Sequence, residues 1–98
     1  MINELAVTVT QEDLDQAIED LKTYKILTAS HCVLAQAFSR VYPELAPISV
    51  GETTLVSHVT KAIYRLDPAG MLVVHSFDAK IYDGLVGTTV EAWCEPIA

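Results

Sequence analysis

The chain is poor in positive charge: six lysines and arginines stand against 13 aspartates and glutamates in 98 residues, a formal net charge of −7. Affinity for a nucleic-acid backbone comes mainly from Lys and Arg neutralising phosphates, so direct nucleic-acid binding is disfavoured. Cysteine is scarce as well. Cys32 and Cys94 are the two thiols, no Cys-x-x-Cys or His-x-x-x-His spacing occurs, and the neighbours His31 and Cys32 point about 100° apart on a helix, so no metal is expected. The four glycines, Gly51, Gly70, Gly84 and Gly87, are too scattered to form a phosphate-cradling loop. Long apolar stretches are missing although 51% of the residues are hydrophobic. Runs such as Met71–Val74 end after four or five residues, where about 20 are needed to span a bilayer. Met1–Glu4 shows no basic segment leading into an apolar one, so the expectation is a soluble cytoplasmic protein with reduced cysteines.

What is present is clearest between Ser30 and Tyr42. Ser30 reads as an N-cap, Leu34, Ala37, Phe38, Val41 and Leu45 recur at three- and four-residue spacing, and Pro43 marks the end, which predicts the core helix. A first strand is expected over Leu5–Val9. Thr10 then caps a helix from Gln11, with Leu14, Ala17, Ile18 and Leu21 inward and Glu12, Asp13, Asp15, Glu19 and Asp20 outward. Thr23–Ala29 has no period and reads as a connection. Past the stiff Pro43–Pro47 linker, Ile48–Val50, Thr53–Val59 and Lys61–Leu66 are β-branched and aromatic, and predict an antiparallel hairpin. Asp67-Pro68 is a helix-start signal for 68–80, with Val73, Phe77 and Ile81 on one face. Residues 85–94, bounded by Gly84 and Pro96, read as the last strand, with Val86, Thr88, Val90, Ala92 and Cys94 on one side and Leu85, Gly87, Thr89, Glu91 and Trp93 on the other.

The length suits one domain spanning residues 1–98. The pattern, β-α-β-β-α-β, predicts an α+β fold: a small antiparallel sheet with helices on one face, of which a ferredoxin-like arrangement is one form.

Chemistry is thin. A Cys–His nucleophile needs Cys32 or Cys94 beside His58 or His75, and no local signature puts them there. The carboxylates of the first helix lie on a polar face, where nothing suggests the desolvation that acid–base work requires. Tyr24, Tyr42, Tyr64, Tyr82 and Trp93 offer stacking or interface groups. The ends of the chain are acidic, net −5 over residues 1–22 and −4 over 66–98, and the middle is mildly basic, net +2.

Four segments carry a resemblance: Val9-Thr10-Gln11-Glu12-Asp13-Leu14-Asp15, His31 to Arg40, Ser49-Val50-Gly51 and Phe77-Asp78-Ala79. Together they resemble a group of small acidic proteins of bacteriophages and prophages that open with a strand and a VTQEDID-like helix start and carry a Phe-Asp pair late in a helix. The sequence departs from that pattern where a Gly and a second Cys are expected between the first two motifs, and where Val33 rather than Pro follows Cys32. The resemblance implies no catalytic residues and no cofactor. It implies a phage-type accessory protein, in broad outline like anti-CRISPR and other counter-defence proteins, working by binding in the host cytoplasm.

The expectation is therefore a non-enzymatic inhibitor of a basic or nucleic-acid-binding host protein, with Glu12, Asp13, Asp15, Glu19 and Asp20 presenting negative charge where phosphates lie. The alternative is a sponge for a signalling nucleotide, with Arg40, Lys61 and Arg65 on phosphate and Tyr42 or Tyr64 on the base. Self-association as a homodimer is also expected, with the last strand at a sheet edge and Val90 and Trp93 in the interface.

Overall fold

The structure, a computed structural model, describes residues 3–24 and 32–94. Ser30, His31, Pro96 and the side chain of Tyr24 lie outside the described residues, as do residues 25–29. In chain order the elements are β1 (Glu4–Thr8), α1 (Gln11–Tyr24), α2 (Val33–Val41), a 3-10 turn (Pro43–Leu45), β2 (Ile48–Val50), β3 (Thr54–Ser57), β4 (Ile63–Leu66), α3 (Pro68–Asp78) and β5 (Thr89–Cys94).

The α+β class, with one antiparallel sheet, is as expected. The strand count differs. Three strands, not two, separate α2 from α3, because Lys61 N–H bonds back to the Ser57 carbonyl at 2.9 Å and turns the chain between β3 and β4, dividing the stretch 53–66 in two. The sheet runs β1-β5-β4-β3-β2 with every neighbouring pair antiparallel. A ferredoxin-like sheet is also antiparallel between neighbours but holds its first strand in the interior and its last at an edge; here β1 is the edge strand and β5 is interior, so that topology is not adopted. The expected edge position of the last strand is also corrected: β5 pairs with β1 on one side and β4 on the other, which makes it an interior strand.

Register fixes which face carries the core. Leu5 and Val7, Val90 and Ala92, Tyr64 and Leu66, Leu55 and Ser57, and Ile48 and Val50 are all buried and alternate with outward residues. The helices cover that face, α2 resting on β1 and β2, α3 on β4 and β5, and α1 on α2. Val33, Leu34, Phe38 and Phe77 are its fully buried centre. Val41 does not join them; it is exposed at the last position of α2.

Local chemistry sets the helix ends. Thr10 Oγ1 accepts from Asp13 N–H at 3.2 Å, while Thr10 N–H donates to Asp13 Oδ2 at 3.0 Å, a reciprocal capping box. The α1 helix runs on through Thr23 and Tyr24, which the sequence pattern assigned to a connection. The α2 helix starts two residues later than expected, capped by the Cys32 thiol accepting from Ala35 N–H at 3.4 Å. Asp67 caps α3 as expected, Oδ1 accepting from Gly70 N–H at 2.7 Å. Gly70 earns its place by contact: a Cβ there would stand 2.8 Å from Val90 Cγ1. At the far end Lys80 (φ 61°) takes the left-handed position and Ile81 N–H bonds the Ser76 carbonyl, closing a Schellman turn that leaves Ile81 exposed and off the helical face. Residues 84–88 form turns, with Gly84 and Gly87 at positive φ, so β5 begins at Thr89 instead of Leu85.

Candidate functional site

The acidic helix separates into two groups. Glu12, Asp15 and Glu19 are exposed on α1, whereas Asp13 is buried and Asp20 half-buried. Asp13 is 4% exposed and held by the Arg40 guanidinium, Nε to Oδ1 at 3.0 Å and Nη2 to Oδ2 at 2.9 Å. Burial pushes the Asp13 carboxyl up. The Arg40 hydrogen bonds, the Thr10 amide and hydroxyl and the Arg40 charge outweigh it, and hold the group below its ordinary value. Asp20 accepts from Gln16 Nε2 at 2.9 Å and Gln36 Nε2 at 2.8 Å, stitching α1 to α2. Asp15 accepts only a same-helix bond from Gln11 at 2.9 Å among those described.

The residues assigned to a phosphate-and-base site do not come together. Arg40 is occupied by Asp13 and also donates to the Thr8 carbonyl at 3.1 Å. The Tyr42 hydroxyl accepts from Ala6 N–H at 3.0 Å and donates to Ala6 C=O at 3.3 Å, and its ring stacks on Phe38 with centroids 6.5 Å apart. Arg40 and Tyr42 thus occupy the outward backbone groups of Ala6 and the carbonyl of Thr8 on β1, one of the two edges of the sheet. Tyr64 faces the helices and is fully buried, so it cannot stack on a ligand; burial raises its hydroxyl pKa, with the Cys94 thiol adding to the effect. Lys61 sits in the β3–β4 turn at φ 66°. Arg65 lies on the open face of the sheet, across from Trp93.

That open face is the larger finding, and the sequence pattern did not reveal it. A row of cross-strand neighbours runs Glu4, Trp93, Arg65, Thr54, and a second runs Ile63, Val56, Ser49. Trp93 is 41% exposed and Ile63 57%. Beside Trp93 lies a hollow of about 300 Å³ lined by Glu4, Leu5, Ala6, Tyr42, Glu91, Ala92 and Trp93. Alternation along β1 and β5 places Glu4 and Glu91 outward, but only the register, Glu4 opposite Trp93 and Ala6 opposite Glu91, brings them together. Val90, by contrast, is fully buried against α3 and is closed to any partner. A second hollow lies between α3 and the β2–β3 turn, lined by Glu52, Thr53, Met71, Val74, His75 and Asp78. Asp78 is pushed up there by burial and by the Glu52 charge, against the lowering effect of His75.

His58 meets Ser49 Oγ through Nε2 at 2.6 Å on the exposed face of the sheet. Cys32 is buried under α2, and burial pushes its thiol up to about 11, the opposite of what a nucleophile needs. Among the described residues no three His, Cys, Asp or Glu side chains gather to hold a metal, and no helix is long and apolar enough to cross a membrane. Comparison with protein-family models, with curated proteins and with solved structures gave no match in any of the three.

Proposed function

We propose that the protein acts by stoichiometric binding to a basic or nucleic-acid-binding protein, as a phage-type accessory inhibitor of a host defence protein, through Glu12, Asp15 and Glu19. The observation that carries this reading is that these three carboxylates are exposed together on α1, while Asp13 and Asp20 are taken up by internal bonds. At a rise of 1.5 Å per residue they lie about 4.5 and 6 Å apart along the axis. Like charges three and four residues apart cost a helix a few tenths of a kcal/mol each, so this spacing, apart from Glu12 in the first turn where the helix dipole favours an acid, does not serve helix stability. It suits a surface evolved to receive phosphates.

The test uses the tagged protein as bait in bacterial lysate, beside the triple variant Glu12→Lys, Asp15→Lys, Glu19→Lys, with circular dichroism confirming that the variant folds. The expected result is a basic protein retained at low salt, released as salt rises and not retained by the variant. Retention unchanged by reversal and by salt, or no retained partner at all, contradicts the proposal. The nucleotide-sponge reading gains no support, because Arg40 and Tyr42 are committed to Asp13 and β1 and Tyr64 is buried.

A further inference from the structure

The hollow on the open face sets negative charge beside aromatic surface. Two carboxylates, Glu4 and Glu91, and two aromatic rings, Trp93 and Tyr42, surround a floor made by the small Ala6. No lysine or arginine lines it. The geometry follows from the ladder. Asn3 accepts from Cys94 N–H and Val9 donates to the Thr88 carbonyl, so the odd residues of β1 form the hydrogen-bonded pairs. Glu4–Trp93 and Ala6–Glu91 are therefore non-hydrogen-bonded pairs, the kind whose side chains stand closest, at about 4.5 Å between Cα atoms. Ala6 is too short to fill the space between Glu4, Trp93 and Glu91. Tyr42 closes the β1 side, its ring fixed by the Phe38 stack and by both hydrogen bonds to Ala6.

We propose that this hollow receives an arginine side chain from a basic segment of a protein partner. A guanidinium suits it on three counts: its plane stacks on the exposed Trp93 indole, its forked N–H groups match carboxylate oxygens, and its charge complements a chain of net −7. Glu4 and Glu91 form no ion pair among the described residues, so their charges are available to it. Arg65 stands on the opposite, β4 side of Trp93 and is not part of the lining. The inference rests on the reading that the partner is basic but concerns a surface other than the α1 acids, and the two are tested apart.

Trp93 is the single tryptophan of the chain, so its fluorescence reports on the hollow without a label. The probes are N-acetylarginine amide, N-acetyllysine amide and the neutral N-acetylnorleucine amide, titrated into the intact protein in the millimolar range. The arginine probe is expected to give a saturable change, and Glu4→Gln and Glu91→Gln are each expected to weaken it by about three- to fivefold, the scale of one exposed charge pair. The variant carrying Glu12→Lys, Asp15→Lys and Glu19→Lys is expected to bind the probe as the wild type does, even if it loses the lysate partner. The absence of a saturable response, an equal response to norleucine or lysine, or full binding by both Gln variants overturns the proposal. Both glutamates are exposed, so their amides are not expected to disturb folding, and circular dichroism checks this.

Discussion

Replacing Arg40 by Met keeps the aliphatic stem and removes the five donors, which makes it the sharpest probe of how α1, α2 and β1 are held together. In the folded protein Asp13 is 4% exposed and takes two charge-assisted bonds from Arg40 at 2.9 and 3.0 Å. Breaking a fully buried ion pair by removing one partner costs about 3–5 kcal/mol. The Arg40 side chain is 40% exposed, so water reaches one side of the pair. The Thr10 amide also remains on Asp13 Oδ2. Discounting for both, the expected loss is about 2–3 kcal/mol at pH 7. For a domain of this size that lowers Tm by about 10–20 °C.

The pH dependence gives the reasoning a second handle. The folded carboxyl lies below its ordinary 3.8, so the stability it contributes is fully present above that value and is lost as pH falls through the depressed one. Methionine at position 40 removes most of the depression. The deficit of Arg40→Met is therefore expected to be largest near neutrality and to shrink below about pH 4. Urea unfolding followed by circular dichroism at pH 7, 5 and 3 measures it. A loss under about 0.5 kcal/mol at pH 7, the scale of an exposed pair, or a deficit that does not shrink at pH 3 refutes the account.

Three further outcomes are expected. Gly70→Ala destabilises by about 1–3 kcal/mol in chemical denaturation, despite the gain in helix propensity, because its methyl meets Val90 at 2.8 Å and Leu66 Cβ and Asp67 Oδ1 at 3.2 Å; a neutral or stabilising result means that α3 shifts freely on the sheet. Lys80→Gly stabilises by about 1 kcal/mol, since a non-glycine residue at φ 61° bears the left-handed cost, and an unchanged or lower Tm contradicts the Schellman turn. Of the two cysteines, neither in a disulfide, Cys94 reacts first with a disulfide reagent at pH 8, while Cys32, buried and with its thiol at about 11, reacts on unfolding; rapid modification of both in the native state counts against the α2 cap.

The parts of the fold that were legible in the sequence are those decided within a few residues. Thr10 before Gln11, Asp67 before Pro68 and the alternation of Val90, Glu91, Ala92 and Trp93 each carry their own signal, and α1, α3 and β5 follow it. The Cys32 cap was hidden because a thiol is a weak acceptor and seldom fills that role. Asp13 had a local hint, since it stands three residues after the capping Thr10, where a carboxylate turns inward to the cap. Its partner Arg40 lies 27 residues away, and only the packing of α2 on α1 joins them. The same holds for the hollow beside Trp93, which exists because β1 pairs with β5 from opposite ends of the chain. The interior place of β5 was equally out of reach, because strand order depends on which edge the first strand closes against.

The most direct test of the proposed function is competition on the partner retained from lysate. A fluorescent oligonucleotide bound to that partner is titrated with the protein, at low and physiological salt, with anisotropy as the readout. Displacement at near one-to-one stoichiometry, weakened by salt and lost with Glu12→Lys, Asp15→Lys and Glu19→Lys, is the result expected of an acidic face standing in for phosphates. An oligonucleotide that stays bound while the protein binds beside it would contradict that account.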